Sequence, residues 1–291
     1  MNEIYLLVGG EATRLQPLSS GIPKALLTVK GERIIDLIIH QFSKLENFKF
    51  NLICSDKHEK QWIEYMDDSN DNIELLFEKT KLDTAGYIIQ NLNSMPDSFF
   101  CMNGDLLLDI DLQELIIEST TILNSLIGSI EVVDPTRYGV LQVTKENKVE
   151  RFIEKPEDDR FGRKISLGFY HLYKKDLQKI VSTLDIPCSF ERDVFPKLAE
   201  QNLLNTYTVT GKMNDVGTRE SYIASHLNND ANWISPDNVS LSNSANITNS
   251  VVLDNCIIGD EVIIEDSIIS GGSVIKSGSV IKNQIVRTNL L

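Results

Sequence analysis

An apolar run, Ile4-Tyr5-Leu6-Leu7-Val8, breaks into Gly9-Gly10-Glu11-Ala12-Thr13-Arg14-Leu15, and Pro17 and Pro23-Lys24 follow. These residue types suit a nucleoside triphosphate, whose negative charges require backbone N–H groups at close range and fixed cations. Gly9 and Gly10 let the backbone approach a phosphate without a Cβ, and Thr13 offers a hydroxyl donor. Arg14 brings a planar fork to phosphate oxygens, while Lys24, held behind Pro23, brings a compact point charge. The spacing matches neither G-x-x-x-x-G-K-S/T nor G-x-G-x-x-G, which disfavours a kinase-type P-loop and a dinucleotide fingerprint. A tight strand-to-loop turn with two exposed cations is the plainer alternative.

The elements that must position these groups follow from hydrophobic spacing. Ile4–Val8 reads as a first buried strand, and Ile34, Ile35, Ile38, Ile39, Phe42 and Leu45 fall on one helical face. Phe50–Cys54 and Ile73–Phe77 continue as strands around a more polar helix, and Phe99–Met102 is a strand ending at Asn103-Gly104-Asp105. This alternation predicts stacked βα units with a largely parallel sheet. In open α/β sheets ligands bind beyond the carboxyl ends of the strands, so Gly9–Arg14 and Asp105 are expected to share one crevice. Beyond Ile127 strand pairs take over: Ile127–Val133, Val140–Val143, Val149–Glu154 and Leu167–Leu172. Helices are expected over Lys174–Leu184, Glu191–Glu200 and Thr218–Asn228.

The composition changes near Asn228-Asn229-Asp230, which divides the chain into residues 1–229 and 230–291. Val239, Ala245, Val251, Ile257, Ile263, Ile269, Ile275 and Ile281 recur every six residues, with Val262, Ile268, Val274, Val280 and Val286 in the neighbouring register. Such a period predicts a parallel β-helix, each coil burying its face against the next. Irregular antiparallel strands are the alternative, though they have no reason to hold one register so long.

The stretch Leu7–Leu18 with Pro23-Lys24 resembles the G-G-x-G-T-R-L-x-P-L…P-K signature of sugar-1-phosphate nucleotidylyltransferases. Further matches follow in family order: Leu82-Asp83-Thr84-Ala85-Gly86, Asn103-Gly104-Asp105, Tyr138-Gly139-Val140, Glu154-Lys155-Pro156, Gly168 and Asp215-Val216-Gly217-Thr218. The resemblance implies a Rossmann-like mixed, mostly parallel sheet domain followed by a short left-handed parallel β-helix of hexapeptide repeats. It also implies an enzyme in which a phosphate oxygen of a sugar 1-phosphate attacks the α-phosphorus of a nucleoside triphosphate and releases pyrophosphate. Positioning and charge neutralisation can supply most of the acceleration, with no covalent intermediate.

By motif match, Arg14, Lys24, Asp105 and Asp215 are the catalytic set. Val8, Gly9, Gly10, Glu11, Ala12, Thr13, Arg14, Lys24, Leu82, Asp83, Thr84, Gly86, Asn103 and Gly104 would bind the nucleotide. Tyr138, Gly139, Glu154, Lys155, Gly168 and Asp215 would bind the sugar phosphate. Two phosphorylated substrates repel each other, so a divalent cation is expected; Asp105 and Asp215 are the candidate Mg²⁺ ligands by the same match. As alternatives, an acid after Asn-Gly is a common turn residue, and Asp215 could cap the helix near Thr218. The L-x-T-A-G string is similar to that of mannose-1-phosphate guanylyltransferases, which favours GTP and mannose 1-phosphate. UTP, dTTP or CTP with glucose or heptose phosphates remain open.

Several positions depart from the family pattern. Ala12 and Asp83 each replace a glycine, Ala25 replaces a proline, Ser166-Leu167 stand where Asn-Ala is usual, and Met213 where tryptophan is frequent. If position 12 needs a positive φ, alanine costs on the order of 1 kcal/mol or reshapes the loop. Asp83 could accept from a guanine edge or repel a triphosphate. These departures keep a non-catalytic, ligand-binding or scaffolding relative as a rival reading.

The balance of 28 basic against 42 acidic residues, net −14, argues against a nucleic-acid or anionic-membrane surface. Cys54, Cys101, Cys188 and Cys256 have no C-x-x-C pairing, which suggests reduced thiols in the cytoplasm. No apolar run approaches the roughly 20 residues of a membrane span. Hexapeptide-repeat acyltransferases use a histidine in their coils, but His40, His58, His171 and His226 all precede the repeat. The coils are therefore expected to serve self-association or a regulatory role.

Overall fold

In the computed structural model the described residues are 2–43, 45, 47–67, 72–227 and 230–287. They fall into two compact units, Met1–Gly9 with Ile38–Met213, and Gly10–Leu37 with Asn214–Leu291. The boundary expected at 229/230 touches residues 228 and 229, outside the described residues.

The first unit is built on a nine-stranded mixed sheet. Its strands are β1 (Asn2–Leu7), β4 (Phe48–Ser55), β5 (Ile73–Glu78), β6 (Ser98–Asn103), β8 (Ser125–Glu131), β9 (Gly139–Val143), β10 (Val149–Glu154), β11 (Lys164–Tyr173) and β12 (Leu204–Thr208). The short strands β2 (Thr28–Val29) and β3 (Glu32–Arg33) form a hairpin in the second unit, and β7 (Leu106–Ile110) lies off the main sheet. The order is β10-β9-β11-β6-β1-β4-β5, with β8 joining β11 to β12. Pairing is parallel through β6-β1-β4-β5 and antiparallel where β11 meets β6, β8 and β9. The central strands are apolar along nearly their whole length because both faces are covered. Ile4, Leu6, Leu52, Cys101 and Met102 are buried, as are Trp62 and the aromatic cluster Tyr170, Phe190 and Phe195.

The expected helices are present with altered ends. α1 covers Ile34–Gln41 and buries Ile34, Ile35 and Ile38, each worth about 2 kcal/mol of apolar transfer; Leu45 lies beyond it. α2 (Glu59–Asp67), α3 (Asp83–Gln90) and α4 (Leu112–Thr121) complete the first half. α5 covers Lys174–Ile180 and tightens to a 3-10 turn at Val181–Thr183. The helix expected over Glu191–Glu200 is a π-turn, Phe190–Val194, running into α6 (Phe195–Glu200), where Pro196 sits in the first turn. The strand β13 (Gly211–Asp215) leads to α7, Arg219–Leu227, and the residue at which that helix was expected to end lies outside the described residues.

The C-terminal coils form a parallel β-helix of three sheets. Val251 pairs with Ile268, Ile257 with Val274 and Ile263 with Val280, so one coil takes 17 residues. This corrects the unbroken six-residue register. Corner residues with positive φ are Asn249, Asn255, Glu261, Asp266, Gly272, Gly278 and Asn283, which gives spacings of six, six and five. The inward column is therefore Val252, Ile258, Ile264, then Ile269, Ile275 and Ile281. Because each third side is one residue shorter, the series through Ile257 starts against the core at Val239 and Ala245, faces outward at Ile257, which is 47% exposed, and is back inside at Ile269. Ser250 and Ser267 stack at one corner, each hydroxyl accepting the backbone N–H one coil on. Among the described residues, no helix is long and apolar enough to cross a membrane.

Candidate active site

In the first unit, β1 ends with Leu7 and leads through buried Val8, whose N–H donates to the carbonyl of Ile53 at 3.1 Å. The Asn103-Gly104-Asp105 turn leaves the adjacent β6 and folds directly onto that exit. The Gly104 N–H donates to Leu7 O at 3.1 Å, and a Cβ at Gly104 would lie 2.4 Å from Val8 Cγ1 and 2.8 Å from Leu7 O. Only glycine permits this approach, which places half-buried Asp105 at the mouth where Gly9 emerges. The grouping of Gly9 with Asp105 at strand ends is thus present. Arg14 belongs to the second unit.

Of the residues expected on the sugar side, Tyr138, Gly139, Glu154, Lys155 and Gly168 lie in the first unit and Asp215 in the second. Gly139 pairs with Glu154 across the β9/β10 hairpin, and the Lys155 N–H donates to Tyr138 O at 3.0 Å. Lys155 Nζ lies 3.1 Å from Glu154 Oε1. Gly168 sits in the register shift of β11 at φ 74, where a Cβ would meet Leu106 Cδ1 at 2.2 Å and Asn103 Nδ2 at 3.1 Å. His171 lies on the same strand, β11. Buried, it stacks on Phe100 and places Nδ1 3.0 Å from Ser119 O, and burial lowers its pKa.

Leu82 precedes α3, and Asp83 adopts φ 65, the left-handed conformation that explains why glycine suits this place. The Asp83 carboxylate caps its own turn, accepting from the Thr84 N–H at 3.0 Å, and pairs with the Arg192 guanidinium. It is thus compensated by a cation. Thr84 Oγ1 donates to Glu191 Oε2 at 2.7 Å, and Gly86 is buried with Leu82 Cβ close above it.

Sequence reasoning missed Glu78. It ends β5, one residue past the strand expected at Ile73–Phe77, and its Oε2 is 3.6 Å from where a Gly9 Cβ would stand. Its Oε1 is buried and finds no hydrogen-bond partner among the described residues. Burial, then the charge of Asp83, pushes its carboxyl up to about 7. A carboxyl whose pKa is raised by folding holds its proton more tightly when folded, so its contribution to stability falls as pH rises from the carboxylate range through about 7. Glu78→Gln is expected to raise Tm at about pH 8 and to leave it little changed at about pH 5, as read by thermal unfolding. An equal shift at both values would contradict this.

In the second unit, Gly10, Glu11, Thr13 and Arg14 are accessible on a loop whose Thr13–Leu15 turn is 3-10. Ala12 adopts φ 44 and ψ 43, left-handed, with its carbonyl accepting from the Leu15 N–H at 2.8 Å and Ser19 Oγ at 2.9 Å. The loop keeps the glycine conformation and strains the alanine, so Ala12→Gly is expected to stabilise by about 1 kcal/mol. The check is a Tm rise of about 2 °C; a fall would show a relaxed alanine. Lys24 is buried, with Nζ 3.4 Å from Oδ1 of Asp215, whose side chain is 47% exposed. The Gly217 N–H donates to Asp215 O at 2.8 Å, closing the turn before α7.

Among the described residues no group of three or more His, Cys, Asp or Glu comes together. Asp105 and Asp215 are hard oxygen donors of the kind Mg²⁺ takes one or two at a time, with phosphates and water completing its shell. Each carboxylate, within its own unit, has the chemistry that fits such an ion.

In the first unit, a mixed sheet whose parallel strands β1 and β6 exit side by side at Gly9 and Asp105 has the architecture of ligand-binding α/β proteins. The chain belongs to the nucleotidyl transferase family, whose model matches residues 5–231. It is similar to the bifunctional protein GlmU of Methanococcus aeolicus, at 30% identity over 222 residues, 74% of this chain and 51% of that protein. It is also similar to the mannose-1-phosphate guanyltransferase of Gibberella zeae, at 30% identity over 233 residues, 75% of this chain and 62% of the other. HddC from Yersinia pseudotuberculosis, solved in complex with GMP-PN, superposes with a TM-score of 0.63 at 26% identity, over 77% of this chain and 98% of that one. The chain spans between half and two thirds of the length of these two curated relatives.

Proposed function

We propose that this protein transfers a nucleotidyl group from GTP to mannose 1-phosphate, giving the nucleotide sugar and pyrophosphate. The observation that carries the reading is Gly104 packed onto the end of β1, which sets Asp105 beside the exit to Gly9. Asp105 and Asp215 would hold Mg²⁺, which supplies charge neutralisation for the phosphates when bound. Arg14 stabilises charge developing on the α-phosphate and the leaving pyrophosphate, and Lys24 neutralises phosphate charge. Gly9, Gly10 and Thr13 offer backbone and hydroxyl donors, while Val8, Glu11, Ala12, Leu82, Thr84, Gly86 and Asn103 shape the nucleotide site. Tyr138, Gly139, Glu154, Lys155 and Gly168 receive the sugar phosphate, with Lys155 facing phosphate and Glu154 accepting sugar hydroxyls.

Two observations support guanine. Glu78 places Oε2 beside Gly9 and leaves Oε1 buried without a hydrogen-bond partner among the described residues, and in its ionised form it can accept from a guanine N1–H and the adjacent amino group. HddC, the structural relative, was solved with GMP-PN. Support for mannose comes from the name of the Gibberella zeae relative. In this reading residues 1–229 catalyse and residues 230–291 carry self-association through the β-helix, in the cytoplasm. Incubation with GTP, mannose 1-phosphate and Mg²⁺ tests it: a GDP-sugar product by mass spectrometry supports the reading, and unconsumed substrates contradict it.

A further inference from the structure

The turn that starts α3 is tied to the segment preceding α6. The Ala85 N–H donates to Cys188 O at 3.0 Å, and the Cys188 N–H returns to Leu82 O at 3.1 Å. Thr84 Oγ1 donates to Glu191 and accepts from the Phe190 N–H at 2.9 Å. The π-turn Phe190–Val194 projects Arg192 onto the position where this loop departs from its family pattern, Asp83. A glycine there would adopt positive φ without strain or charge. Aspartate brings both a left-handed residue and a second carboxylate near Glu78, on a loop read above as binding an anionic nucleotide.

We propose that Arg192 is a positioning residue for nucleotide binding, holding Asp83 in its left-handed conformation and cancelling its charge. The inference rests on the reading of residues 82–86 as part of the nucleotide site. Arg192 itself is well exposed, at 63% of its side chain, and Asp83 less so, at 31%. Its effect is therefore on the loop and its field, not on the core. Without the guanidinium, the Asp83 carboxylate keeps its bond from Thr84 N–H but faces the incoming triphosphate uncompensated. Lysine at 192 retains the charge while losing the planar fork.

The test measures KM for GTP, KM for mannose 1-phosphate and kcat in Arg192→Ala, Arg192→Lys, Asp83→Gly and the double variant Asp83→Gly/Arg192→Ala. Arg192→Ala is expected to raise KM for GTP about tenfold, with kcat and KM for the sugar phosphate within about twofold. Arg192→Lys should recover most of the loss, and in the Asp83→Gly background the change at 192 should add less than about twofold. An unchanged KM for GTP in Arg192→Ala, or an equal penalty in the glycine background, overturns the proposal. If the wild-type protein turns over no substrate, the function proposed above fails, and the GTP-induced rise in Tm decides the loop separately. That rise should be weakened by Arg192→Ala and restored in the double variant; a wild-type Tm that GTP does not move overturns both.

Discussion

Asp105→Asn is expected to lower metal-dependent turnover by about 10²–10³-fold while Tm stays within a few degrees of wild type. The amide keeps the shape of the carboxylate and changes its charge, so the comparison isolates electrostatics. Asp105 is half-buried, directly after a glycine lodged against β1, and the turn is held by backbone bonds that the substitution does not touch. What is lost is a hard anionic donor of the kind Mg²⁺ takes. Turnover and thermal unfolding on the same preparation check the claim. Undiminished turnover would remove Asp105 from the chemistry, and a collapse in Tm would make it a structural residue.

Gly104→Ala is expected to damage stability and activity together. Its Cβ would stand 2.4 Å from Val8 Cγ1 and 2.8 Å from the Leu7 carbonyl oxygen. Val8 can give way only in part, and the carbonyl is fixed in the central sheet, so the turn must back away from β1. Overpacking of this kind costs about 1–3 kcal/mol. The displacement moves Asp105 with it, and misplacing a catalytic group by about 1 Å costs on the order of 10²-fold in rate. Denaturant titration and steady-state kinetics report the two effects. An alanine variant of wild-type stability and rate would show that the contact does not position Asp105.

Much of this was legible because each reading rested on a local physical demand. The strand Ile4–Val8, the β6 exit at Asn103 and the facing of α1 follow from apolar runs and helical spacing that tertiary structure had no cause to override. The left-handed conformation at Ala12 was foreshadowed by the glycine it replaces, whereas Asp83 was read for its charge and its backbone conformation went unremarked. The coils illustrate the opposite case. Periodicity exposed the repeat, yet a six-residue step holds on only two sides of the triangle, and the shorter third side is visible only in the positive-φ corners. Val251 and Ile268 are fully buried on the outward side of the first sheet, so apolarity alone could not tell inward from outward.

Glu78 and Arg192 were missed for a shared reason. Each lies at the end of a segment classified by its apolar residues: Glu78 after Phe77, Arg192 within what reads as an ordinary helix. Their significance lies in contacts more than a hundred residues away for Arg192 and about seventy for Glu78. A charged residue closing a parallel strand was the available signal for Glu78, since the carboxyl ends of such strands face ligands. Arg192 carried no comparable mark, because its partner is the one residue at which the motif changed.

Nucleotidyl transfer between two phosphorylated substrates under a divalent metal would release pyrophosphate. Pyrophosphate release with Mg²⁺, measured across GTP, UTP, dTTP, CTP and ATP against mannose, glucose and heptose 1-phosphates, tests it most directly. Release is expected to depend on both substrates and on Mg²⁺ and to be strongest with GTP and mannose 1-phosphate. Silence across the whole grid, with nucleotide or nucleotide-sugar binding still detectable, would contradict it and leave a binding protein built on a transferase fold.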